Sequence, residues 1–255
     1  RLNSTQHGTI NLVRLREKLL ELLDKHPNFR KIDFDLSSLF KDWFNRGFLI
    51  LKPIDWETPA NILEKIIEYE AVHQIKSWDE LRSRLEPEDR RCFAFFHPLI
   101  ANEPLIFVEV AFTNNMPRKI DEVIKIDRSV MSEEDISTAV FYSISSCQDG
   151  LSGISFGNFL IKEVVYKLKR KNEALKKFVT LSPAPDFTKW LKEQSIDEDP
   201  NEESLMKQAM TYLLYSNRED GFPNDPVARF HLGNGAILER INLNSDLSSK
   251  GINQS

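Results

Sequence analysis

The chain has 255 residues, with 34 Lys and Arg against 39 Asp and Glu, for a net charge of −5. Its length allows one large domain or two small ones, and 41% hydrophobic content with 17 Phe supports a bulky core. The acidic balance leaves no footprint for nucleic acid, and two cysteines exclude a disulfide framework. No run approaches the roughly 18 apolar residues of a membrane helix.

Leu12, Leu15, Leu19, Leu22 and Leu23 recur at helical spacing and predict an amphipathic helix over 9–24. A second helical run covers 34–46 and closes at Gly47; residues 48–54 then read as a strand. Thr58-Pro59 opens a helix through Tyr69, with the Thr58 hydroxyl as cap and proline at the first helical position. Residues 77–85 form a short charged helix. Residues 91–97 and 105–113 read as strands, and their short connection makes them antiparallel neighbours. A further strand is expected over 138–145, then a strong helix over 156–171 and a strand over 178–181. Residues 187–193 and 205–215 read as helices, and 195–203 as an acidic loop. Asp225-Pro226 starts a short helix through His231, which Gly233 and Gly235 end. Residues 236–243 read as a strand, and the last dozen polar residues show no element. This order predicts an α+β (α/β) fold: a mixed, mostly antiparallel sheet with helices on both faces.

Three segments could carry chemistry. The first is the glycine-spaced turn at 148–158, between a strand and a helix start. Gly150, Gly153 and Gly157 let the backbone approach a ligand, and the helix N-terminus suits a phosphate. The competing reading is a tight structural turn. The second is Ser182, at a strand end and ahead of Pro183 and Pro185, which mount its hydroxyl rigidly. An ordinary turn serine would look the same, and no Gly-x-Ser-x-Gly elbow marks a hydrolase nucleophile. The third is His231, near a helix end, where an imidazole can exchange protons; a capping or core histidine is the alternative. His97 reads as structural, and Cys92 and Cys147 as reduced core thiols. The run Lys167, Lys169, Arg170, Lys171 reads as a solvated helix end. No His or Cys pair has metal-ligand spacing.

Together these blocks resemble malonyl-CoA decarboxylase. The resemblance rests on Arg91-Cys-Phe-Ala-Phe-Phe-His-Pro, Glu103-Pro-Leu, Phe141-Tyr-Ser-Ile-Ser and Gln148-Asp-Gly-Leu-Ser-Gly. It continues through Phe156-Gly-Asn-Phe-Leu-Ile-Lys, Leu181-Ser-Pro-Ala-Pro-Asp-Phe-Thr-Lys-Trp-Leu and Asp225-Pro-Val-Ala-Arg-Phe-His-Leu-Gly-Asn-Gly-Ala, from about residue 8 to the end. It implies an N-acetyltransferase fold with acyl-CoA in the splay between two parallel strands, here 138–145 and 178–181. The pyrophosphate would lie over Ser152, Gly153, Ile154, Ser155, Phe156, Gly157 and Asn158. Ser182 and His231 match the family's catalytic serine and histidine. The implied reaction turns malonyl-CoA into acetyl-CoA and carbon dioxide. The thioester accepts the electrons as an enolate, so no metal or organic cofactor is expected. His231 is expected to donate the proton, and Ser182 to hold the carboxylate or relay.

The same resemblance divides the chain at residue 47. Residues 1–47 would be a helical segment, either the trailing part of a helical region used for oligomerisation or packed on the main domain, and a homo-oligomer is expected. Residues 48–255 would be the acyl-CoA-binding domain without the family's last strand. The first residue is Arg, so a segment upstream is expected, and with no organelle address visible the expected setting is a bacterial cytoplasm. Two other classes fit the same segments: an acyl-CoA-dependent N-acyltransferase, and a CoA-binding module without turnover.

Overall fold

The computed structural model describes residues 5, 7–154, 157–194, 201–216, 219 and 221–255, with Gly157 and Asn158 described by backbone alone. Two compact units emerge, one from residues 1–115 and 129–179, the other from 116–128 and 180–255.

The first unit is built on a sheet in the order β1-β2-β3-β4-β5. Its elements are α1 (Gly8–Leu22), α2 (Arg30–Trp43), β1 (Ile50–Ile54), α3 (Ala60–Tyr69), α4 (Trp78–Leu85), β2 (Arg90–Phe96) and β3 (Ile106–Thr113). After α5 (Asp121–Ile124), which belongs to the second unit, come β4 (Thr138–Ser146), α6 (Gly157–Lys171) and β5 (Lys177–Thr180). Strands β1 to β4 pair antiparallel. The β4-α6-β5 crossover to a neighbouring strand makes the sheet mixed.

Alternation along the strands sorts the core into two layers. Phe93, Phe95, Val108, Val110 and Phe141 pack with Val13, Phe40, Phe44, Leu160 and Val164, from α1, α2 with its C-cap, and α6. Cys92, Ala94, Phe96 and Phe107 pack with Ile62, Leu63, Ile66, Leu81 and Leu85, from α3 and α4. A bulge interrupts β4. Glu109 pairs with Ser143 but Val110 with Phe141, so Tyr142 is the extra residue. The slip turns Ser143 and Ser145 toward the face that carries Glu109. There Glu70, at the C-cap of α3, accepts from the Ser143 hydroxyl and from the N–H groups of Val72 and His73. Glu109 is buried against Arg84 at 2.9 Å, and burial pushes its carboxyl up to about 7.

The second unit holds α7 (Phe187–Glu193), α8 (Glu202–Leu214), α9 (Pro226–Gly233) and α10 (Ser249–Gln254). Phe187, Ala209 and Tyr212 form its buried centre, with Trp190, Leu205 and Ile241 packed against them. No helix among the described residues is long and apolar enough to cross a membrane.

Four expectations need correction. Residues 236–243 form no strand: Ile237 stays 80% exposed, and Arg240 is tied to the carbonyls of Met116 and Pro117 instead of lying in a ladder. The polar C-terminus does form a helix, α10, because the Ser248 hydroxyl accepts the Gly251 N–H at its start. Thr58 does not cap α3. Its hydroxyl accepts from Asp55 N–H in the preceding turn, and Pro59 is itself the capping position. Gly150 does not offer its backbone to a ligand. A Cβ there would lie 1.9 Å from the Val13 carbonyl oxygen, so this glycine permits close packing on α1.

Gly150→Ala must therefore push α1 away from the turn, and a loss of about 2 kcal/mol or more is expected in urea unfolding. Gly153→Ala, at φ 77° with nothing within 4 Å, costs only the left-handed backbone, about 1 kcal/mol.

Candidate active site

In the second unit, Ser182 Oγ lies 3.0 Å from His231 Nε2. The two residues are 49 apart in sequence, and the fold brings them together. Ser182 follows β5 by two residues, and Pro183 restricts it to extended backbone. The loop closes with a bond from Phe187 N–H to the Ala184 carbonyl, which starts α7.

His231 is positioned by α9. Asp225 caps this helix, its Oδ1 accepting from Val227 and Ala228 N–H at 3.0 and 2.7 Å, with Pro226 in the first turn. The far end closes equally well. Asn234 N–H and Ala236 N–H reach the His231 carbonyl, Gly235 N–H reaches Leu232, and the Asn234 side chain reaches Phe230. Gly235 takes φ 87°, which glycine adopts without strain.

The pair is asymmetric. Ser182 is exposed, whereas His231 is 9% exposed. Burial lowers the His231 pKa to about 4, so the ring is neutral at neutral pH. The hydroxyl is thus the group presented to a ligand, and the imidazole stands behind it.

In the first unit, the turn after β4 is held from below. Residues 149–151 make one 3-10 turn, and Leu151 and Ile154 join the core. Arg16 of α1 is 4% exposed and donates from Nη1 to both the Gly150 and Ser152 carbonyls at 2.8 Å. Its Nε donates to Asp33 of α2 at 2.8 Å. Ser152 N–H and Ile154 N–H are spent within the turn, on Asp149 and Leu151. Gly153 is exposed and left-handed, and Gly157 and Asn158 open α6. Ser155 and Phe156 lie outside the described residues.

The other sequence candidates are structural. His97 is buried, and its Nδ1 accepts from Leu99 N–H. Cys92 and Cys147 are free and buried, and burial raises both thiols well above their usual range. Lys169, Arg170 and Lys171 are exposed, while Lys167 lies over the Phe93 ring. No group of three His, Cys, Asp or Glu able to hold a metal occurs among the described residues. Sequence reasoning missed Arg16, although an arginine at helical spacing from Leu12 and Val13 was its signal. It also missed the buried bond from the Tyr212 hydroxyl to Asp225.

Comparisons with known proteins identify the family of the chain. The family profile described as the malonyl-CoA decarboxylase C-terminal domain matches residues 47–204 and 198–255, and that of the N-terminal domain matches residues 1–44. The crystal structure of malonyl-CoA decarboxylase from Rhodopseudomonas palustris is 48% identical with a TM-score of 0.92, covering 99% of this chain and 68% of that one. The enzyme from Agrobacterium vitis is 48% identical with a TM-score of 0.89, covering 98% and 68%. The mitochondrial malonyl-CoA decarboxylase of Anser anser anser is 35% identical over 302 residues, covering 98% of this chain and 60% of its own length. The chain thus spans about 60% of the curated relatives it matches. The loading GNATL domain of CurA from Lyngbya majuscula, 14% identical with a TM-score of 0.52 over 76% of this chain and 87% of its own, shares the acetyltransferase-like fold alone. With both domain profiles matched and identity kept along nearly its full length, this chain belongs to the malonyl-CoA decarboxylase family.

Proposed function

We propose that this chain converts malonyl-CoA to acetyl-CoA and carbon dioxide, with Ser182 and His231 as its catalytic residues. The observation that carries the reading is an exposed serine hydroxyl 3.0 Å from a buried, neutral imidazole. Loss of the carboxylate leaves an electron pair that the thioester carbonyl delocalises as an enolate. That sink belongs to the substrate, so the reaction calls for neither metal nor organic cofactor.

The enolate carbon is more basic than an alkoxide, so it takes the proton from Ser182 Oγ downhill. The C–H bond forms as the O–H bond breaks. The negative charge then rests on Oγ, where the Nε2–H of the neutral ring can donate to it, and water restores the proton. This assigns the immediate donation to Ser182 and makes His231 the partner of a relay. A neutral ring serves that role, whereas a base of pKa about 4 accepts the proton of an ammonium poorly. The same value therefore disfavours the N-acyltransferase reading.

We assign the pyrophosphate to the turn over Ser152, Gly153, Ile154, Ser155, Phe156, Gly157 and Asn158. Support comes from the exposed, left-handed Gly153, the start of the 15-residue α6, and the buried Arg16 that fixes the turn from beneath. The Tyr142 bulge gives a physical ground for β4 to part from its neighbour. Identity of 48% to bacterial enzymes against 35–36% to mitochondrial ones supports a bacterial cytoplasmic setting. A homo-oligomer is supported by exposed Leu15, Ile32 and Phe34 on the two N-terminal helices.

Purified protein should release acetyl-CoA from malonyl-CoA. Ser182→Ala and His231→Asn should each lower kcat about 100-fold or more. Arg16→Met should instead raise KM and weaken CoA binding in calorimetry, with kcat changed less. Wild-type rates in both site variants would remove the assignment.

The His231 ring also predicts a pH effect. Between pH 6.5 and about 4 an unfolded chain protonates this histidine while the folded one does not. Stability from this group is complete above 6.5 and declines as pH falls toward 4. Unfolding free energies measured from pH 4 to 7 should show that decline, and His231→Asn should flatten it.

A further inference from the structure

Tyr212 touches the supports of both members of the Ser182–His231 pair. It is 1% exposed, and its ring centroid lies 5.5 Å from Phe187 and 5.4 Å from Trp190. Both belong to α7, the helix that ends the Ser182 loop. Its hydroxyl donates to Asp225 Oδ2 at 3.0 Å. The other Asp225 oxygen caps α9, which carries His231. Ring packing therefore fixes the serine side, and one hydrogen bond fixes the histidine side.

Packing alone does not call for this hydroxyl, since phenylalanine would fill the same space. What the hydroxyl adds is a link to a carboxylate that is 0% exposed and has two other donors on its far oxygen. Without the link, Asp225 Oδ2 loses the donor it has there, and α9 is free to shift or turn about its cap. A proton relay has little tolerance for such a shift, because a displacement of about 1 Å can cost about 100-fold in rate.

We propose that Tyr212 is a positioning residue that sets the distance between Ser182 and His231. The proposal rests on the reading of that pair as the proton relay. Tyr212 touches neither substrate nor reacting atoms; it acts through Asp225 and α9.

The test is Tyr212→Phe in the full chain, with kcat and KM for malonyl-CoA and the nitrogen chemical shifts of the His231 ring by NMR. Loss of about tenfold in kcat with KM within about twofold is expected, together with a shift of the Nε2 signal as its partner recedes. Asp225→Asn keeps both the cap and a contact to the hydroxyl, and should hold kcat within about threefold of wild type. Asp225→Ser keeps the cap but is too short to reach the hydroxyl, so it should lose kcat as Tyr212→Phe does. Wild-type kcat with an unchanged ring signal in Tyr212→Phe or Asp225→Ser overturns the proposal. So does a kcat loss that only matches the fraction unfolded by circular dichroism. If the wild-type protein releases no acetyl-CoA, the decarboxylase reading fails by itself. The His231 signal then decides on Tyr212 alone: a shift upholds the link and no shift refutes it.

Discussion

The exclusion of water from one imidazole governs the chemistry of the second unit. His231 lies in the last turn of α9, where a helix dipole favours a cation by about 0.3–1 kcal/mol. Here that negative end is already occupied. The carbonyls of Phe230, His231 and Leu232 accept from Asn234, Gly235 and Ala236. What remains is desolvation, and the drop from 6.5 to about 4 corresponds to about 3 kcal/mol against the charged form. Burial wins over the dipole by a clear margin. The ring keeps a free choice of tautomer toward Ser182 and carries no fixed charge at neutral pH.

The first unit meets a different demand, which is to fix the turn after β4 through its carbonyls. Arg16 does this from inside. Its guanidinium draws the Gly150 and Ser152 carbonyls inward, and Asp33 offsets its charge. A buried arginine without those three acceptors would be costly. Val13 closes on the same turn so tightly that only glycine fits at 150. The N-terminal helices are thus part of the scaffold of the turn, and the compact unit runs through residue 47 without a break. Of the two readings the sequence leaves for this helical segment, packing favours the one on the main domain: it is the floor beneath a loop more than a hundred residues away.

Much of this was legible in the residues. Strands β1 to β4 and helices α6, α7 and α9 carry apolar periodicity or capping residues strong enough to place them within about two positions. The serine on its proline mount and the histidine near a helix end were visible as candidates, because their neighbours have unusual backbone demands. Their mutual contact was not, since nothing local encodes a bond between residues 182 and 231. The bulge at Tyr142 escaped because nothing local to a nearly fully buried strand marks where its faces exchange. Residues 236–243 misled in the opposite sense: β-branched and apolar side chains suggest a strand, but a strand exists only with a partner. Gly150 shows the same limit, since a glycine needed for packing reads like one needed for a ligand.

The prolines beside Ser182 narrow its chemistry further. A serine that forms acyl-enzymes on an α/β-hydrolase uses the N–H of the next residue to hold the oxyanion. Here the next residue is Pro183, which has no N–H, and Pro185 removes another donor two positions on. The loop is stiff, yet it lacks the group that would stabilise a tetrahedral adduct on Oγ. The decarboxylation proposed for this chain forms no such adduct at the serine. It asks that one hydroxyl stay within reach of a carbanion for a single proton transfer, and a rigid extended mount backed by a neutral ring meets that demand. The features that disqualify Ser182 as a nucleophile are therefore compatible with the relay proposed for it.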